Sequence, residues 1–180
     1  ADPWCNPGGP PDGAATRPFV GGVVWVSGSG LVGVTTADGT GSLRVSSASP
    51  MPMQALVVDA QSDGQKQLIV SDGRVAHLYL LEGCRINPVF DGQGSPFVFD
   101  LQNLRGNGTG VGCEDLGAGR QLVALQVLPG GDGSTMRRTA ITINGNNGSP
   151  GRSDTVAATP SGSTITCGDL TMANDGVQQP

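Results

Sequence analysis

Nearly every apolar run in this chain is cut by glycine, proline, asparagine or aspartate before it reaches ten residues. A helix shorter than about 12 residues has little intrinsic stability, so runs of this length read as strands. Charged helix formers are scarce: Glu82 and Glu114 are the only glutamates and Lys66 the only lysine. No stretch repeats apolar residues at helical spacing over three turns. The expected fold is all-β, made of antiparallel hairpins with almost no helix.

Residues 1–17, rich in Pro, Gly and Asp, read as an irregular N-terminal arm, and residues 18–180 as a single all-β domain,. Strands are expected over Phe19–Val26, Leu31–Thr36, Gln67–Val70, Arg74–Leu81, Pro96–Leu101, Gln121–Leu128, Thr139–Asn144, Thr155–Ala158 and Thr164–Thr166. Asp72-Gly73, between two apolar runs, is the strongest hairpin signal and predicts a type I′ turn. The 30 glycines and 13 prolines do not make the chain disordered. Charged residues are only 14% and the Val, Ile and Leu occur in coherent runs, the opposite of a disordered composition,.

The net charge is −5, and the arginines are isolated except for Arg137-Arg138. Nucleic-acid binding needs a basic stripe that releases counterions, so that class of partner is excluded. No run approaches the ~20 apolar residues of a transmembrane span. The start Ala1-Asp2-Pro3-Trp4 resembles an end left by signal-peptide cleavage, although a boundary unrelated to processing would look the same,. Cys5, Cys84, Cys113 and Cys167 contain no C-x-x-C pair, which disfavours zinc,. Two disulfides are the economical reading and imply an oxidising compartment: a secreted or cell-envelope location. Of the three possible pairings, Cys5–Cys167 with Cys84–Cys113 is favoured, because it ties the termini and closes a shorter loop.

Val58-Asp59-Ala60, Glu114-Asp115-Leu116 and Gly168-Asp169-Leu170 recur at spacings of 56 and 54, with Cys113 and Cys167 each two residues before the aspartate. A period of this size with about four strands per unit fits propeller blades or a β-trefoil or related barrel. The segment Val58–Leu81 resembles the FG-GAP/VCBS-type propeller repeat, in which an aspartate-rich turn precedes a valine-rich strand and hairpin. Asp59, Asp63, Gly64 and Leu68 match that pattern, while Gln61 and Gln67 stand where acids are usual. The resemblance implies a propeller-like fold, binding rather than catalysis, and a calcium site on Asp59, Gln61, Asp63 and Gln67. Two carboxylates and two amides make a poor calcium set, so a metal-free Asx-stabilised turn is the expected state and no cofactor is expected. The chain is also similar in general character to exported actinobacterial, mycobacterial-type envelope proteins.

His77 is the only histidine, and on its strand it shares a face with Val75, Tyr79 and Leu81,. A hydrolase centred on His77 would need a nucleophile and an orienting acid beside it, and no G-x-S-x-G elbow occurs. Glu114 and Asp115 are adjacent and point to opposite faces, so they cannot form a paired glycosidase site. Arg137-Arg138, after the Gly130–Ser134 loop, reads by default as a solvated strand start, with contact to a phosphate or carboxylate as the alternative. Phe97 and Phe99 share one face, either as core or as an exposed carbohydrate or peptide surface. The functional expectation is an exported, disulfide-stabilised binding or interaction module of the cell envelope, with a protein or an envelope glycan as partner. The alternative is an accessory structural subunit of a larger envelope assembly.

Overall fold

The computed structural model describes residues 5–45, 47, 49–101, 108–128 and 135–180. Ala1–Trp4, Asn107 and the Gly130–Ser134 loop lie outside them. The chain is 58% strand and 4% helix, as its turn spacing predicts. Three antiparallel sheets each take their main strands in chain order. The first holds β1 (Ala15–Phe19), β2 (Gly22–Val26), β3 (Leu31–Thr36) and β4 (Gly39–Arg44). The second holds β5 (Gln54–Val58), β6 (Lys66–Ser71), β7 (Val75–Glu82) and β8 (Arg85–Pro88), with β9 (Val98–Asp100) paired to the start of β7. The third holds β10 (Thr109–Asp115), β11 (Arg120–Val127), β12 (Thr135–Asn144) and β13 (Asn147–Ala157). A hairpin of β14 (Thr166–Cys167) and β15 (Leu170–Thr171), the single-turn helix α1 (Met172–Asp175) and β16 (Val177–Gln178) complete the chain. Thr171 caps α1 by accepting from the Asn174 N–H, and β16 pairs with β5,.

The second sheet lies between the other two. On one face Ala55, Val57, Leu68 and Val70 pack against Val24, Val26, Val32 and Val34 of the first sheet. On the other, Leu56, Val58, Ile69 and Leu78 pack against Val111, Leu122 and Ile141 of the third. A strand covered on both faces has no polar side to show, so Ala55–Val58 and Leu68–Val70 are apolar at every position,. Phe97 and Phe99 join the second core, their rings edge-to-face at 5.2 Å, which makes them core and not a surface,.

Several sequence expectations are corrected. β1 begins inside the segment read as an irregular arm, and Phe19–Val26 is two strands joined at Val20-Gly21. The Asp72-Gly73 link is not type I′: only Gly73 has positive φ (89°), and the Asp72 N–H bonds the Val75 carbonyl across a wider loop. The Asp72 carboxylate accepts from the Arg74 and Val75 N–H groups, and this Asx closure decides the loop shape,. Two disulfides are present, but they join Cys5 to Cys84 and Cys113 to Cys167, not Cys5 to Cys167 and Cys84 to Cys113. Neighbouring strands, not chain ends, set this pairing. The arm bridges β4 through reciprocal Asn6–Thr40 bonds, and Gly41 of β4 abuts the Cys84 carbonyl, so Cys5 arrives at Cys84. Val111 of the edge strand β10 bridges Ile165, which brings Cys167 beside Cys113.

Candidate functional site

The residues singled out in the sequence do not converge. Asp59 follows β5 and turns its carboxylate into its own loop, accepting from the Asp63 N–H at 3.1 Å and the Gly64 N–H at 2.9 Å. Its slight burial works against ionisation, but these bonds and the nearby Lys66 charge hold it below its ordinary 3.8,. Asp63 accepts from the Gln65 N–H, and Gln67 is buried, accepting from the Ala60 N–H and donating to the Gln65 carbonyl. Gln61 is exposed at the loop tip. The four side chains proposed for calcium therefore close or decorate a turn, and no cluster of three metal-ligating residues occurs among the described residues.

His77 is half-buried on β7, and its Nε2 has no hydrogen-bond partner among the described residues. Asp72 Oδ2 lies 3.9 Å away, beyond hydrogen-bond range, and accepts instead from Ser47 Oγ at 2.7 Å,. The hydroxyl is thus bound to the acid and not to the base, the wrong order for activating a nucleophile. Burial lowers the His77 pKa below 6.5, with the Asp72 charge opposing it. On the same face of β7, burial pushes Tyr79 up to about 12.

Glu114 and Asp115 point apart. Asp115 accepts from the Gly117 and Gly119 N–H groups, while Glu114 accepts from Arg138 Nη1 at 2.6 Å. Arg138 also forks onto Asp154 of β13 with bonds of 2.8 and 2.7 Å, so it clamps three strands of the third sheet instead of standing solvated,. Its pKa is raised and that of Asp154 lowered, in each case by these bonds first.

A larger concave feature lies elsewhere, where β1 of the first sheet faces β5 of the second. It is a groove of about 610 Å³, within the size range of ligand sites,. Leu56–Val58 of β5 and the following Asp59 form its floor, Arg17–Val20 of β1 and its turn form one wall, and Leu170, Asn174 and Asp175 form the other. Val20 is 85% exposed and Leu170 36%, two of the few large apolar side chains left in solvent. Sequence reading missed this site because its parts lie far apart in the chain. One local signal was available: Val20, a β-branched residue at a hairpin tip, has no reason of its own to be there.

Compared with protein families, curated proteins and solved structures, the chain matches none.

Proposed function

We propose that the chain is a non-catalytic, extracytoplasmic binding module of the cell envelope, built on propeller-like repeats, that holds its partner in the groove between β1 and β5. The observation that carries this reading is the groove itself: a floor of β5, two exposed apolar side chains and a rim with Arg17, Lys66, Asp59 and Asp175. Apolar surface with a few polar groups at its margin is the usual composition of a binding site. Two disulfides support the extracytoplasmic part, because such bonds persist in oxidising compartments,.

Propeller-like repetition is supported by the second and third sheets. Asp59, directly after β5, and Asp115, the last residue of β10, stand at the end of the first strand of a meander, and each carboxylate accepts two N–H groups of the turn into the second strand. Four strands hydrogen-bonded in chain order is blade-like connectivity, which favours a propeller relative over a trefoil,.

The test is a titration with 8-anilinonaphthalene-1-sulfonate, a small apolar anion, into the wild-type chain and the double variant Val20→Asp, Leu170→Asp. Saturable fluorescence enhancement in the wild type, lost in the variant while its thermal midpoint stays the same, supports the groove. Equal enhancement in both overturns it.

A further inference from the structure

The groove floor consists of four consecutive residues, Leu56–Asp59. Side chains along a strand alternate, and here Leu56 and Val58 enter the core shared with the third sheet while Val57 enters the core shared with the first,. What these residues present to the groove in common is main chain: the open edge of β5. β16 pairs only with Gln54 and Ala55 of that edge, and the residues before it form α1 and add no strand pairing to β5. The Gln179 N–H bonds the Met53 carbonyl at 2.8 Å, which fixes the phase of the edge. Met53, Ala55 and Val57 direct their N–H and C=O away from β6, so the Val57 peptide groups face the groove.

The walls match the two faces of an added strand. Val20 stands on the first-sheet side and Leu170 on the side of β15 and α1. The rim charges are unequal in availability. Asp59 and Asp175 are engaged with backbone N–H groups, whereas Arg17 and Lys66 make no hydrogen bond or salt bridge through their side chains among the described residues. Arg17 and Lys66 thus keep their hydrogen-bond donors open to an occupant, although the Asp59 charge lies near Lys66.

Resting on the binding reading above, we infer that the groove takes an extended peptide segment of a partner protein by strand addition to β5. Main-chain bonds to Val57 supply attachment, apolar side chains alternate between the Val20 and Leu170 walls, and acidic flanking residues meet Arg17 and Lys66. Natural sheets rarely leave an edge open without charge, proline or cover, and this edge lies in a groove walled by other elements and not on an open face,.

The test uses the full chain and an acetylated, amidated hexapeptide of alternating valine and isoleucine bracketed by aspartates. Amide hydrogen exchange in the free protein should be fast at Val57 and slow at Leu56 and Val58, whose N–H groups bond to β6. Peptide at millimolar concentration should slow Val57 exchange by about tenfold or more, and Val20→Asp or Leu170→Asp should weaken binding by about tenfold each. A peptide N-methylated at alternate residues should not protect Val57. Slow Val57 exchange in the free protein, absence of protection by the peptide, or protection that survives N-methylation on both registers overturns strand addition. If the anilinonaphthalene probe still binds the groove in that event, the binding reading stands and only the strand-addition mode fails. Self-association that protects Val57 without peptide would make a second copy of the chain the occupant and overturn the partner assignment.

Discussion

His77 Nε2 lies 3.9 Å from Asp72 Oδ2, too far for a hydrogen bond, while the Asp72 carboxylate accepts from Ser47, Arg74 and Val75,. The pair is therefore a charge relationship and not a catalytic dyad. Burial keeps His77 neutral in the fold at pH values where an unfolded chain would protonate it,.

This relationship sets a pH dependence. The folded pKa of His77 is below its ordinary 6.5, so the unfolded state binds more protons and stability is lost as pH falls below 6.5 toward the folded value,. Burial alone would raise Asp72, but the Val75, Ser47 and Arg74 bonds outweigh it, so a second loss follows below 3.8. His77→Gln should flatten the first limb and leave the second. Urea midpoints at about pH 7.5 and 5.5 check this. Parallel wild-type and variant profiles would remove His77 from the account.

The disulfides should be separable. Non-reducing peptide mapping is expected to recover Cys5 linked to Cys84 and Cys113 linked to Cys167. They close chain separations of 79 and 54 residues. The chain-entropy model gives about 4–5 kcal/mol for loops of that size. Paired Cys→Ser variants should each lower the thermal midpoint by many degrees, and a mapped Cys84–Cys113 peptide would refute the strand neighbourhoods described above.

Two glycines make room for neighbours. A Cβ on Gly33 would fall 2.2 Å from the buried Trp25 ring, and one on Gly41 would fall 1.9 Å from the Cys84 carbonyl oxygen. Gly33→Ala should cost about 1–3 kcal/mol, since a fully buried ring cannot swing aside. Gly41→Ala should cost more, because it meets backbone beside a disulfide. Denaturant midpoints rank the two, and a neutral Gly41→Ala would show that β4 stands off the Cys84 turn.

The Asp59 loop should be indifferent to calcium. Thermal midpoints with a chelator and with millimolar calcium should coincide, whereas Asp59→Ala should cost about 1 kcal/mol through loss of a cap-like pair of bonds. A calcium-dependent rise that Asp59→Ala abolishes would restore the metal site implied by the repeat resemblance.

Legibility varied along the chain for physical reasons. β6 and β7 were readable because sustained apolar runs flank a turn at Asp72-Gly73. β13 was readable only at its end, since Ser149–Ser153 are exposed and carry no apolar alternation; the hairpin from β12 is what makes them a strand. The Arg138 clamp was invisible because its partners lie on strands 24 and 16 positions away. The groove was missed for the same reason: its floor, walls and rim come from the first sheet, the second sheet and the α1 region.

Local chemistry in the sequence was enough to determine the all-β class, the scarcity of helix, the Asp-closed turns and the presence of two disulfides. Each of these follows from short-range constraints: run length, backbone freedom at glycine and an even count of cysteines. Tertiary structure alone decided which cysteines meet, that the middle sheet is buried on both faces, and that β1 and β5 leave a groove between them. Those outcomes depend on which strand edges become neighbours, and neighbour choice is made by the packing of whole faces, not by any single segment.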